Sequence, residues 1–524
     1  MRTPRQLRRT KGAAGKAGRR EPAAAAAPTQ GAQVPAGAGD GGRALLDLPE
    51  AVRLLGTTRP TFYRWLRSGR LKGMKVGRQW RFYREDIERF LRGESPRIDL
   101  GADIRPLLSA LEDELRKVGA VVPKADDSGP VVRASNLMVR LSLALGASDI
   151  HLEPYVDGVL LRYRIDGVLH RAATYDLRLH AAIVEQWKVM AGCDVHQVRR
   201  PQDGRALVAA EGLKEPLDLR LSFLPAQMGE AITVRILRRD EVRLDLDRLG
   251  FQPRDREVLR RWQHAPWGLL VFTGPTGCGK TTTIYSALAE IVSERVKILS
   301  VEDPVEYLIQ GITQVPVRVQ EGVTFSAAIR SMLRADADVM MVGEVRDRET
   351  LECCIQAAVT GHLVLTTLHT DDAATALGRM VDIGADRFLV ADATKLVVSQ
   401  RLVRMLCGAC SAPAEPSAES LAEARTLARQ SGLDWESLPR RWRRPVGCAE
   451  CRLTGYRGRQ VIAEALEVTG EIGAAIRRGA STAEIRALAV GQGMTTMAGH
   501  GVVRASAGET SLEEALMMAP RSGG

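Results

Sequence analysis

Residues 274–283 read GPTGCGKTTT, a match to G-x-x-x-x-G-K-[ST]. Gly274, Pro275, Thr276, Gly277, Cys278 and Gly279 make a glycine-rich turn between an apolar run, GLLVFTG at 268–274, and a helix-competent run that includes Thr281 and Thr282. Such a turn points successive backbone N–H groups at phosphate oxygens, and the helix N-terminus adds its dipole. Lys280 is placed to neutralise the β- and γ-phosphates, and the Thr281 hydroxyl to ligate Mg²⁺. The loop identifies a nucleotide binder and no particular task. Cys278 inside it reads either as a small residue that simply fits or as a thiol whose alkylation would inhibit, with bound nucleotide protecting it.

Hydrolysis needs a carboxylate to orient or deprotonate water and another to hold Mg²⁺ through its waters. Ligands of parallel-sheet enzymes sit beyond the carboxyl ends of the strands. Two apolar runs end in acids there: Glu302 and Asp303 close VKILSVED, and Glu344 lies in DVMMVGEV. Asp303, followed by Pro304, also suits a helix cap. His362 and His369 bracket a further apolar run, HLVLTTLH at 362–369. Their odd spacing puts them on opposite faces of a strand, so they do not share a metal. His369 lies at the carboxyl end, where it can sense the γ-phosphate; His362 reads as structural.

Cys407-x-x-Cys410 and Cys448-x-x-Cys451 form two knuckles. Four thiolates complete a tetrahedron with no open position, which predicts a structural zinc. Its binding would contribute about 10–16 kcal/mol to folding. The other four cysteines show no pairing pattern, and in a reduced compartment the pairs favour metal over disulfide.

These groups need elements to hold them. Four short apolar strands, at 268–274, 296–303, 338–345 and 362–369, alternate with helical stretches, the signature of a parallel sheet buried on both faces. An α/β nucleotide-binding domain is expected over 249–400. Before it, a helix through RASNLMVRLSLAL leads into alternating runs. Asp166-Gly167 supplies a tight hairpin turn, and LDLRLSF and AITVRIL follow, so 130–240 reads as a small α+β domain. Residues 96–129 read as a linker with one helix at 107–119, residues 401–455 as the zinc insert, and 456–524 as a helical region.

The net charge is +11, and it is uneven: residues 1–43 carry nine basic and two acidic side chains and residues 44–95 carry twelve and six, so the remainder sums to −2. Any polyanion-binding surface is expected in the first 95 residues. Residues 1–43 hold almost no large apolar side chain and are expected to be disordered. No apolar run of 18 residues is present, so no membrane-spanning helix is expected, and the chain reads as cytoplasmic.

The phosphate loop, SVEDPVEY at 300–307, DVMMVGEVRDRET at 338–350 and TGHLVLTTLHTDDA at 360–373 together resemble the secretion ATPase family of type II secretion and type IV pilus assembly. The resemblance extends over roughly 130–520 through GASDIHLEPYVDG, RPQDGR, LPAQMGE, SQRLVRMLCGAC, GYRGR and GQGMTTMAGHG. It implies a RecA-like P-loop core preceded by a PAS-like α+β domain. It also implies a homo-hexameric cytoplasmic ATPase at the inner membrane, using ATP, Mg²⁺ and Zn²⁺. Such a motor would act on a platform protein together with a membrane partner that has a cytoplasmic domain. The family's Asp box falls on Glu302 and Asp303, its Walker B element on Glu344, and its His box on His362 and His369. Of the two glutamates, Glu302 is favoured as the residue that activates water, with Glu344 on Mg²⁺, and the reverse assignment stays open. Arg205, Arg220 and Arg235 fall where the family has nucleotide-facing arginines; as residues alone they could equally be the polar face of a sheet. Asp371 stands where the family pattern has Asn, and Ala337 where it has Pro. The tetracysteine set favours assembly over retraction.

Residues 44–95 resemble the winged helix-turn-helix of excisionase and MerR-type proteins. Helices are expected at 48–56, from Arg59-Pro60 to Gly69, and through REDIERFL, with a wing around Gly77-Arg78. Arg59, Arg64, Arg67, Arg70, Lys72, Lys75, Arg78 and Arg81 could contact phosphate. The favoured reading is partner docking. The alternatives are a DNA-binding, ATP-dependent regulator and a DNA-uptake motor.

Overall fold

Asp47 and Glu50 form a capping box on the first helix of the computed structural model, which describes residues 45–67, 71–76, 79–92, 100–124, 128–209, 216–237 and 244–518. The chain divides into two units, Met1–Arg97 and Ile98–Gly524. In the first, β1 (Leu45–Asp47) precedes α1 (Leu48–Leu54), α2 (Arg59–Arg67), β2 (Met74–Val76), β3 (Gln79–Tyr83) and α3 (Arg84–Leu91). The strand order is β1-β3-β2. Ala51, Phe62, Leu71, Phe82 and Ile87 make the core, with Phe62 and Phe82 edge to face at 5.0 Å. The expected helices and the two strands of the wing are present, and β1 is an addition that the sequence reading lacked. The tail 1–43, Gly69, Arg70 and the wing tip Gly77-Arg78 lie outside the described residues, as do the side chains of Arg67 and Lys75. Arg59 and Arg64 are exposed on α2.

The second unit opens with α4 (Leu100–Asp103), α5 (Arg105–Lys117) and α6 (Pro130–Leu145). The helix expected in a linker is part of a core. Leu107, Leu111 and Leu115 recur every four residues on α5 and are buried with Leu137, Met138 and Leu141 of α6. The α+β fold therefore reaches upstream of residue 130. Its sheet comprises β4 (Asp149–Tyr155), β5 (Gly158–Ile165) and β6 (Val168–Tyr175). After α7 (His180–Ala191) come β7 (Gln202–Val208), β8 (Leu217–Ala226) and β9 (Gly229–Leu237). The order is β6-β5-β4-β9-β8-β7, antiparallel throughout. Asp166 and Gly167 turn β5 into β6 with φ of 47° and 85°, the positive values a two-residue hairpin requires.

After α8 (Leu246–Leu249) and α9 (Pro253–Gln263) the strand–helix alternation begins with β10 (Gly268–Thr273), α10 (Lys280–Ile291), β11 (Ile298–Glu302) and β12 (Ile312–Pro316). It continues with α11 (Phe325–Met332), β13 (Val339–Val342), α12 (Arg348–Val359), β14 (Leu363–Leu368), α13 (Ala373–Ile383), α14 (Arg387–Ala393) and β15 (Thr394–Leu406). Then come β16 (Ala412–Pro413), α15 (Ala418–Gln430), β17 (Arg443–Arg444) and β18 (Tyr456–Glu467). The last elements are α16 (Gly470–Arg478), α17 (Thr482–Gly491), α18 (Met497–Ser506) and α19 (Leu512–Met518).

The seven-stranded sheet has the order β12-β11-β13-β14-β10-β15-β18, parallel except for β18. Every residue of β10, β11, β13 and β14 is buried, as strands covered on both faces must be. The boundaries expected at 400 and 455 do not divide this sheet. Residue 400 lies inside β15, and β18 returns after the cysteine segment to pair with β15 from Leu396↔Glu467 to Leu406↔Tyr456. The region from 456 thus begins with a sheet strand, and only then becomes helical.

Candidate active site and metal centre

The chain leaves β10 at Thr273 and turns through Gly274, Gly277 and Gly279, whose φ values of 140°, 78° and 90° suit glycine alone. A Cβ on Gly274 would sit 2.4 Å from the carbonyl oxygen of Gln400. Pro275, Thr276 and Gly277 are exposed, and Thr281 and Thr282 lie half-buried in the first turn of α10. Lys280 opens that helix and donates to the carbonyls of Gly274 (2.7 Å) and Pro275 (3.2 Å). Burial lowers its pKa, opposed by the charge of Glu344. The buried amide of Gln400 on β15 donates to the Cys278 carbonyl and accepts from the Thr283 hydroxyl, both at 2.9 Å. It braces the loop from a neighbouring strand. Cys278 is itself buried, which pushes its thiol up; that environment counts against the alkylation reading.

Glu302 ends β11 and is 2 % exposed. Its carboxylate accepts hydrogen bonds from the Tyr285 hydroxyl, from Ser300 Oγ at 2.6 Å and from Gln314 Nε2 at 3.1 Å. Burial and the nearby carboxylate push the Tyr285 phenol up, so it remains a donor. Asp303 is exposed on the following loop. Glu344 lies two residues past β13, ion-paired with Arg346 and 3.4 Å from His369 Nε2. His369 follows β14 and is half exposed. The end of β14 is fastened to its neighbours: Thr367 Oγ1 donates to the Gly343 carbonyl (2.8 Å), and the Thr273 and Thr370 hydroxyls meet at 2.8 Å. His362 lies at the opposite end of β14, its Nδ1 3.1 Å from the Ala357 carbonyl. Asp371 pairs with Arg401 of β15 at 2.8 Å.

Arg205, Arg220 and Arg235 stand in one cross-strand row, Arg205↔Arg220↔Arg235, which Asp149 and Arg164 continue. Like charges in register repel, and acids offset them here. Arg205 makes a forked pair with Asp218 (2.7 and 2.5 Å), and Arg235 reaches Asp149 at 3.3 Å. Arg220 instead crosses to the nucleotide-binding domain, donating to the Val305 carbonyl (3.1 Å) and to Glu306 (3.0 Å). A cavity of about 300 Å³ beside the phosphate loop is lined by Gly167, Cys278, Arg401, Leu402, Met517 and Met518, among others.

The four knuckle sulfurs lie within 4.8 Å of one another, with Cys407–Cys448 at 3.9 Å, Cys410–Cys451 at 3.6 Å and Cys448–Cys451 at 3.7 Å. Zinc–sulfur bonds of about 2.3 Å give a tetrahedral edge of about 3.8 Å, so the cluster fits that ion. Backbone N–H groups of Gly447, Cys448 and Gly455 point at the sulfurs. Arg452, beside the last cysteine, donates to the Leu145 and Ala144 carbonyls at 2.5 and 2.8 Å, capping the C-terminal end of α6.

The profile of the type II/IV secretion system protein family matches residues 124–517. The chain belongs to this family. A helix-turn-helix domain profile matches residues 45–95. The type IV pilus assembly ATPase PilB of Myxococcus xanthus is 38% identical over 435 residues, spanning 82% of this chain and 75% of that protein. Type II secretion system protein E of Pectobacterium carotovorum is 40% identical over 392 residues, 75% of this chain and 76% of that protein. Among solved structures, the Legionella pneumophila ATPase DotB superposes with a TM-score of 0.55 at 19% identity, over 76% of this chain and 97% of that one. The pilus retraction motor PilT with bound ADP does so with a TM-score of 0.51 at 24% identity, over 74% and 97%. These two show the fold. As a member of the secretion ATPase family the chain is an ATPase, and its RecA-like core and helix-turn-helix agree with the reading from sequence.

Several residues of this candidate site escaped the sequence reading. Tyr285 and Gln314, which fix Glu302, are a buried helix residue and an edge-strand residue with no motif of their own. Gln400 is a polar residue in the middle of an apolar strand, and that interruption was the available signal.

Proposed function

We propose that this chain is the ATP-hydrolysing motor of a type II secretion or type IV pilus assembly machine. Working as a homo-hexamer at the cytoplasmic face of the inner membrane, it would drive a platform protein that extrudes pilin-like subunits. The observation that carries the reading is the phosphate loop after β10, whose Lys280 feels the charge of Glu344, itself 3.4 Å from His369 Nε2, in a chain 38–40% identical to PilB and protein E relatives. No described helix is long and apolar enough to cross a membrane, which suits a peripheral motor.

In this reading the loop amides and Lys280 grip the β- and γ-phosphates, and the cavity beside Leu402 and Met517 receives base and ribose. Mg²⁺, held by Thr281 and served by Glu344, would offset charge on the phosphates. Glu302, fixed by its three donors, orients water against the γ-phosphate, and His369 registers that phosphate. Arg220 exchanges Glu306 for phosphate oxygen, and Arg205 and Arg235 add positive potential, coupling closure of the α+β domain to ATP occupancy. Zinc at the four cysteines would hold the insert folded and take no part in hydrolysis.

Purified full-length chain should release phosphate from Mg·ATP, and Lys280→Ala should lose that activity. A Lys280→Ala protein as active as the parent overturns the reading. The exposed Arg59 and Arg64 of α2 keep DNA binding as the second reading. Binding of genomic DNA by the full chain with a steep salt dependence supports it, whereas no shift leaves residues 45–92 as a docking module.

A further inference from the structure

Near the end of β18 a carboxylate joins two helices that are distant in sequence. Glu464 is 3 % exposed. One oxygen accepts the N–H of Ala373 at 2.7 Å, and the other accepts the N–H of Met497 at 2.9 Å. Ala373 is the first residue of α13 and lies four residues beyond His369; Met497 is the first residue of α18. First-turn N–H groups have no partner within their own helix, and each helix already has an N-cap, Asp372 and Thr496. Glu464 therefore satisfies one remaining donor on each helix and faces two positive helix ends at once.

The neighbourhood extends this link to the phosphate loop. Ser399, opposite Glu464 on β15, donates to the Asp371 carbonyl at 3.3 Å, and the next residue, Gln400, braces Cys278. The helix that Glu464 caps at Met497 leads into α19, whose Met517 and Met518 line the cavity beside that loop. One buried side chain thus connects the segment behind His369 with the helices bordering the other side of the site.

We infer that Glu464 is a positioning residue for ATP hydrolysis: it holds the 369–373 segment in register with α18, so that His369 stays aimed at the nucleotide. The inference rests on the proposed role of His369. A neutral amide of the same size presents an N–H₂ to one of the two N–H donors, so Glu464→Gln keeps the volume and loses one tie.

The test is a double-mutant cycle in the full-length ATPase with Glu464→Gln, His369→Ala and their combination. Glu464→Gln should lower kcat about tenfold with the KM for ATP unchanged, and the double variant should be no slower than His369→Ala alone. A role in stability alone would make the two losses multiply, and that result overturns the inference, as does a parent-like Glu464→Gln. If Glu464→Gln does not accumulate folded, Glu464→Asp carries the same cycle, because the shorter carboxylate reaches one N–H at a time. A His369→Ala protein that turns over like the parent overturns the role given to His369, and with it the route assigned to Glu464.

Discussion

Arg220 of the α+β sheet meets Glu306 at 3.0 Å, three residues past Asp303. The same guanidinium donates to the Val305 carbonyl, so the loop that follows Glu302 is held from a different domain. Removing Arg220 should therefore affect nucleotide use more than folding. Arg220→Ala should reduce kcat/KM for ATP by about tenfold or more, the scale of one charge-assisted contact. Arg220→Lys should recover little of it, since a compact ammonium cannot grip a phosphate with two parallel N–H groups as a planar guanidinium does. Steady-state phosphate release checks this, and a parent-like Arg220→Ala refutes a phosphate role.

The two glutamates should separate by kinetics and metal dependence. Glu302→Gln should abolish turnover, by a factor of about 10² or more, while leaving ATP binding near parent strength. Glu344→Gln should raise the Mg²⁺ concentration needed for half-maximal activity. Titrating both variants with Mg²⁺ and with a fluorescent ATP analogue distinguishes the roles; the opposite pattern would exchange them.

Cys278 should react slowly with maleimide, because burial keeps its thiol protonated and covered. The ATPase should lose activity at the same rate in the parent and in Cys278→Ser. A parent inactivated much faster than Cys278→Ser would restore the alkylation reading.

Zinc analysis should find about one ion per chain, bound through Cys407, Cys410, Cys448 and Cys451. Chelation should expose four additional thiols to a colorimetric reagent and lower the thermal midpoint, since zinc binding is folding energy for such a module. Because Arg452 caps α6 beside Cys451, chelation should also raise hydrogen exchange at the end of that helix. Unchanged exchange there would argue against coupling between the zinc module and the α+β domain.

Two buried groups should oppose each other as pH falls. Burial pushes the Asp255 carboxyl up to about 7 against the pull of Arg254, and burial together with Arg504 holds His500 down to about 3. Between the ordinary carboxylate value and the ordinary histidine value, the native state holds an extra proton on Asp255 while the unfolded state holds one on His500. The Asp255 contribution to stability is lost as pH rises toward 7. The His500 contribution is lost as pH falls from about 6.5 toward 3. Asp255→Asn should therefore make stability fall with acid by up to about 1.4 kcal/mol per pH unit, and His500→Asn should tilt it the other way. Urea midpoints across this window check the signs; parallel slopes for the two variants would count against them.

Local patterns were legible where the physics is local. The 274–281 turn needs glycine at positive φ and a following helix, and Asp166-Gly167 needs the same two-residue hairpin geometry whatever surrounds it. Continuous apolar runs announced β10, β11, β13 and β14, because a strand covered on both faces has no polar alternation. The cysteine spacing announced a four-sulfur cluster. What escaped were elements whose partners lie far along the chain. β18 is a mixed polar and apolar run until β15 pairs with it, and α5 is an isolated amphipathic helix until α6 covers its leucines.

By itself the sequence determined which groups can do the chemistry, because a phosphate loop, strand-tip carboxylates and paired cysteines are set by residue type and close spacing. Only the tertiary structure decided which of them act together. Arg220 meets Glu306 across 86 positions, counting from 220 to 306, Gln400 braces Cys278, and Glu464 ties Ala373 to Met497. Those pairings depend on strand order and register, which arise from the summed burial of the whole sheet and from no single stretch of chain.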